Sequence, residues 1–111
     1  MQFTETTEFQ KDFKRLHKKY RSLDQDIEIV KQAIIVLPTG DGSKHWNTLH
    51  QIEDRYVMKM RMMCRSIKGA QFRLVYRYDA DTITVLCIEL YYKGEQVRET
   101  PERISYYLNQ N

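Results

Sequence analysis

The apolar positions of this chain fall first into two helical stripes, then into strand alternation, then into one last helical pair. Residues 2–6 read as a short strand. Thr7-Glu-Phe-Gln10 has the form of a capping box, in which the Thr hydroxyl and the Gln side chain satisfy orphan amides reciprocally. Phe9, Phe13, Leu16 and Tyr20 follow at steps of four, three and four, one apolar stripe on a helix of about four turns. Its opposite face is basic, with Lys11, Lys14, Arg15, Lys18 and Lys19. Ser22-Leu-Asp-Gln25 has the form of a second capping box, and Asp24 and Asp26 suit the positive end of a helix dipole. Ile27, Val30, Ala33 and Ile34 make the second stripe, which must end before Pro38. Thr39-Gly-Asp-Gly-Ser43 is a turn.

The period then drops to two. Met58, Met60 and Met62 alternate with Val57, Lys59, Arg61 and Met63, giving a strand with one apolar and one basic face. Residues 66–70 read as a loop. Phe72, Leu74, Tyr76 and Tyr78 alternate with Arg73, Val75 and Arg77 in a second strand of the same type. Thr82–Tyr91 is apolar on both parities, as expected of a central strand covered on both faces. Thr100-Pro-Glu102 starts a short helix carrying Ile104 and Leu108, with Pro at its first position. The pattern predicts one α+β domain over residues 1–111: a short N-terminal strand, a helical hairpin, an antiparallel three-stranded meander and a C-terminal helix.

Charge sharpens this picture. The net charge is +3, yet the segment Arg55–Tyr78 alone holds seven Lys and Arg and no acid, leaving the other 87 residues at −4. A charge excess confined to one β-ribbon is a placed field and points to a polyanionic partner. Lys59 and Arg61 share a strand face about 7 Å apart, comparable to the spacing of phosphates in an extended nucleic-acid strand. Arg73 and Arg77 occupy the polar parity of the next strand, so the four are expected to line one side of the sheet. A solvated strand face is also often Lys/Arg-rich, partly to block edge pairing, and charge alone does not separate the two. Tyr91 and Tyr92 end the third strand, where exposed rings stack on bases, although Tyr is also a good strand former.

Other chemistry is thin. Cys64 and Cys87 make neither a metal spacing nor a disulfide framework and read as reduced cysteines of a cytoplasmic chain. His45 and His50 would need further ligands to hold a metal, with only Glu53 and Asp54 nearby, and none is expected. A catalytic role for a His of this segment stays open, although no spacing rule supports one. Pro38–Lys44 superficially looks like a phosphate loop but lacks the GxxxxGK[ST] spacing. The polar opening Met1-Gln-Phe-Thr-Glu-Thr is not a signal peptide, and no apolar run approaches a membrane span.

The order of these elements resembles the RelE/ParE superfamily of bacterial type II toxins. Met58-Lys-Met-Arg-Met62 resembles the family's YKIRL or YKIKL strand, and Phe72-Arg-Leu-Val-Tyr76 its YRLVY strand. Leu86–Lys93 is similar to the strand that ends in a basic residue near the active site. Phe9–Leu16 and Lys19–Leu23 look like the opening of one RelE-like branch, so the resemblance covers roughly residues 3–108. It implies a ribosome-dependent mRNA endoribonuclease without metal or small-molecule cofactor. The implied partners are a cognate antitoxin, the ribosome and mRNA. By resemblance, Lys59 and Arg61 fall on the basic positions of the first catalytic strand. Arg73 falls on the arginine that stabilises the phosphorane, and Lys93 on the residue that assists the leaving oxygen. The longer Cys64–Gln71 connection is expected to bring Arg65 and Lys68 near the site as RNA contacts, alongside Arg77, Tyr91 and Tyr92. Where many members carry Tyr or His six residues after Lys93, this chain has Glu99. The alternatives are a ParE-like gyrase inhibitor and a catalytically inactive RNA-binding relative.

Overall fold

A computed structural model describes all residues, 1–111. The chain runs β1 (Gln2–Glu5), α1 (Thr7–Lys19), α2 (Leu23–Val36), β2 (Trp46–Ile52), β3 (Arg55–Met62), β4 (Phe72–Asp79), β5 (Thr84–Tyr92) and α3 (Pro101–Leu108). The five strands form one mixed sheet in the order β1-β5-β4-β3-β2. The fold is α+β, but the expected three-stranded meander is a four-stranded one, extended by β2, and β1 closes the sheet by pairing parallel with β5. β4, not β5, is the central strand. No helix is long and apolar enough to cross a membrane.

The two sheet faces are covered unequally. Met58, Met60, Met62, Phe72, Leu74 and Tyr76 project to one face, where Phe9 and Leu16 of α1 and Leu23, Ile27, Val30 and Ile34 of α2 pack on them. On the other face Val57, Val75, Ile88 and Tyr91 receive only Ile104 of α3 and its half-buried neighbours. A bulge in β5 links the two faces. Val75 pairs with Glu89 and Tyr76 with Cys87, so Ile88 is the extra residue. A bulge lets two consecutive side chains take one face. Ile88 and Glu89 therefore both serve the α3 side, which is why β5 reads as apolar on both parities.

Two caps differ from the sequence expectation. The N-cap of α1 is Thr6, one residue before the expected Thr7; its Oγ accepts from Phe9 N at 3.0 Å. Thr6 is preferred because it also donates to Ile88 O (3.3 Å), tying the cap to the sheet. Ser22 makes no side-chain cap at all: its hydroxyl donates to Asp26 Oδ2 at 2.6 Å. α1 also serves as an edge cover. β1 pairs only as far as Cys87, and beyond it Asp12 Oδ2 accepts from Leu90 N at 3.2 Å. At the far end the Tyr20 ring meets Tyr92 at 5.5 Å. α1 thus runs along the open edge of β5, with its C-terminal turn at the Tyr92 end of the sheet.

Candidate functional site

Strand register gathers the basic residues. Arg61 of β3 lies directly opposite Arg73 of β4, and Arg73 opposite Tyr91 of β5. Lys59 stands two residues before Arg61 on the same face, beside Asn47 of β2. Arg61 N donates to His45 O at 2.8 Å, which fixes the segment entering β2. That segment is held from behind by Gly40, whose positive φ (+79°) and missing Cβ let it lie against Trp46; an added Cβ would fall 2.6 Å from the Trp46 Cβ. Lys93 follows β5 directly, its N–H bonded to Gln71 O at 2.8 Å. The result is a cavity of about 270 Å³ lined by Lys44, His45, Trp46, Asn47, Lys59, Arg61, Arg73 and Lys93. Five cations and no acid make up its charged lining.

The charges in this cavity are held by different means. Arg73 is only 7% exposed, and its guanidinium donates to Ala70 O (2.8 Å) and Phe72 O (3.0 Å). Burial, and then the neighbouring Arg61, lower its pKa from the usual arginine value; an arginine remains charged all the same. No carboxylate lies within ion-pair distance of Lys44, Arg61, Arg73 or Lys93. Lys59 alone has a partner: its Nζ donates to Glu99 Oε1 at 2.8 Å. Burial pushes the Glu99 carboxyl up, but the hydrogen bond from Lys59, a backbone hydrogen bond and the charges of Lys59 and Arg98 together outweigh this and hold its pKa below the ordinary value. Glu99 owes its position to Glu89, a carboxylate 2% exposed under the 93–100 segment. Glu89 accepts from Thr100 N (2.9 Å), Thr100 Oγ (2.8 Å) and Gln96 Nε2 (2.8 Å).

The structure thus brings together Lys59, Arg61, Arg73 and Lys93, the four expected catalytic positions. The other expected contacts are dispersed. Arg65 turns to α2, where it pairs with Asp26 at 3.1 Å and reaches Gln25. Lys68 is exposed on the loop between β3 and β4. Arg77 does not join an open basic face, because α3 covers the middle of that face. Its guanidinium pairs with Asp79 (3.0 Å) and donates to Tyr107 O (2.6 Å), while Arg55 reaches Asp79 (2.6 Å) and Leu108 O (2.9 Å). These two arginines terminate α3 by satisfying its last carbonyls.

Nor do the tyrosines offer free rings. Tyr91 is 2% exposed beneath α3, and its phenol is pushed up to about 12 by burial and then by Glu99. Tyr92 packs against Phe72 (5.4 Å) and Tyr20 (5.5 Å). Strand-end position suggested stacking; packing claims both rings.

Sequence reasoning missed Lys44 and His45 as lining residues and Glu99 as a contact. Only strand pairing could reveal the first two, since they enter with β2. A larger cavity, about 670 Å³, opens at the opposite end of the sheet beside Arg55, Arg77 and Asp79. Its arginines are already paired, so the smaller cavity carries the unneutralised charge. Such a site favours an anion of phosphate size, and in its restricted space the cations act more strongly than in water. No family model, no curated protein and no solved structure matches this chain.

Proposed function

We propose that this protein is the toxin of a type II toxin–antitoxin pair, a metal-independent, ribosome-dependent mRNA endoribonuclease of the bacterial cytoplasm. One observation carries the reading. Lys59, Arg61, Arg73 and Lys93, which the RelE-like resemblance singles out, come from three parts of the chain and line one cavity without an acid. In the proposed reaction the RNA 2′-oxygen loses its proton and bonds to the adjacent phosphorus, and the bond to the 5′-oxygen breaks. The products are a 2′,3′-cyclic phosphate and a 5′-hydroxyl. Arg61 and Arg73 face the charge that develops on the phosphorane, and Lys93 donates to the departing oxygen. Lys59 is engaged by the Glu99 carboxylate at 2.8 Å and serves as a positive charge beside the phosphate rather than as the base. His45 is the lining side chain that both accepts and donates a proton in its neutral form, and it takes the proton-transfer role.

The second reading, an RNA-binding relative without cleavage, is favoured by the same Lys59–Glu99 contact, which occupies a cation the reaction would use. Induction in a bacterial host with primer extension on a reporter mRNA separates the readings. Cuts confined to translated frames, lost in Arg73→Ala, are expected of the nuclease. Growth arrest with intact mRNA would move the assignment to a gyrase inhibitor, and no arrest to the binding relative.

A further inference from the structure

A second basic surface lies outside the cavity. α1 turns both of its acids inward. Glu8 accepts from Tyr107 Oη at 2.6 Å, and Asp12 pairs with Arg103 at 2.7 Å while also accepting from Leu90 N. Its apolar residues Phe9 and Leu16 are buried in the core, and Phe13 packs against it. The outward face is left with Lys11, Lys14, Arg15, Lys18 and Lys19, all exposed. Their spacing is i, i+3, i+4, i+7, i+8, the pattern of one helix face. Only Arg15 meets a carboxylate, Glu95 at 3.5 Å, and that pair is half exposed.

Such a face is unfavourable by itself. Like charges at i, i+4 destabilise a helix, and only the last-turn lysines gain from the dipole. Within the chain only Glu95 pairs with it, at Arg15. The stripe is also placed next to the cavity: Arg15 touches Glu95, two residues beyond Lys93, and the C-terminal turn of α1 lies at the Tyr92 end of the sheet.

We infer that the outward face of α1 is a second phosphate-binding surface, which grips the backbone of a structured RNA independently of the cavity. Cations one turn apart recur every ~5.4 Å along the helix, and from Lys11 to Lys19 the stripe is about 12 Å long, enough for two or three phosphates. The face has no apolar side chain to insert into a bilayer, which argues against a membrane surface. It has no aromatic or aliphatic anchor of the kind that dominates protein–protein contacts. The rings beside it, Phe13 and His17, are half-buried and already stacked on each other at 5.3 Å, so a duplex backbone fits it better than a single strand. Recognition there is by phosphate position and not by sequence. This surface would serve RNA cleavage or plain RNA binding equally, so it does not rest on the nuclease reading.

The test is a salt titration of binding to a short RNA duplex by fluorescence anisotropy, using the full chain. The variant Lys11→Gln with Lys14→Gln, Lys18→Gln and Lys19→Gln is compared with the parent and with the same four positions changed to Arg. The Gln variant is expected to bind at least tenfold more weakly in low salt, with a log–log salt slope shallower by about 2. The Arg variant and the cavity variant Arg61→Gln are expected to keep the stripe's share. Circular dichroism checks that each variant folds. An unchanged slope in the Gln variant, or a parent that does not bind duplex at all, overturns the inference. So does a Gln variant that loses binding to phosphatidylserine vesicles while keeping its grip on duplex. Duplex binding with the expected slope change but no mRNA cleavage would sink the nuclease reading and leave this surface standing.

Discussion

Glu99→Gln removes the one negative charge that touches the cation cluster while nearly preserving shape. The carboxylate lies 2.8 Å from Lys59 Nζ, and the two side chains are 17% and 23% exposed, so the pair is largely shielded from solvent. A phosphate on the far side of Lys59 would sit about 7 Å from that carboxylate. With an effective dielectric of about 20 and a Debye length of about 8 Å, the repulsion comes to about 1 kcal/mol. Its removal should therefore tighten phosphate binding about fivefold. The fold should lose about 1 kcal/mol, because a charged hydrogen bond to Lys59 becomes a neutral one. The assay is titration of the parent and the variant with a short 2′-deoxy oligonucleotide, which binds but offers no 2′-hydroxyl, at physiological salt. Urea melts give the stability side. Because the folded pKa of Glu99 is depressed, its charge is present above the ordinary carboxylate pKa and lost as pH falls through the depressed value. The affinity gap should accordingly close on acidification. A folded variant that binds no tighter than the parent would refute the reasoning, since the anion would then not lie at Lys59.

Glu89→Ala strips three donors of their buried acceptor, and is expected to cost about 3 kcal/mol and lower the melting temperature by roughly 10 °C. Amide exchange at Thr100 should quicken along with it; a melting point within about 2 °C of the parent would contradict the role given to Glu89. Asp26 is 3% exposed and accepts from Ser22 Oγ (2.6 Å), Arg65 N and Arg65 Nε (both 3.1 Å). Burial pushes its pKa up, but these bonds outweigh it, so the folded value is depressed. Its stabilising effect should be full above the ordinary carboxylate pKa and vanish as pH falls through the depressed value. Denaturant melts of Asp26→Asn should then show a deficit at neutral pH that disappears in acid, and a pH-independent deficit would count against this account.

The helices and four of the strands were legible: the helices, β3 and β4 because an apolar face leaves a period in the sequence, β5 as an apolar run covered on both faces, and β1 as a short strand. β2 left none. It is an edge strand with mostly exposed residues on both sides, and its pairing with β3 shifts register between Thr48 and His50, which breaks the alternation. The bulge in β5 was equally hidden, since Ile88 and Glu89 on one face look like ordinary alternation with a polar slip. At the site, the four cations were readable through a family-like pattern on β3, β4 and the end of β5. Lys44 and His45 were not, because they reach the cavity only through the unforeseen strand. Glu99 stood out as a departure from the resembled pattern, but its contact with Lys59, 40 residues away, depends on the buried Glu89. Tyr91 and Arg77 show the opposite failure: their residue types suggested exposure, and α3 claims them both.

The parallel pairing of β1 with β5 also sets an order of assembly. Gln2 pairs with Thr84, so the first strand waits for a partner 82 residues downstream. The hairpins of β2, β3, β4 and β5 close over short connections, whereas β1 must close the longest loop in the sheet, and distant contacts form late. Until residues 2–20 dock, the margin of β5 at Ile88 and Leu90 stands open with its backbone groups unpaired. An unpaired strand margin recruits other chains. The nascent protein is therefore most prone to aggregation in the interval between completion of β5 and return of its own N-terminus, and truncation of residues 2–5 would leave the Thr84–Cys87 margin open for good.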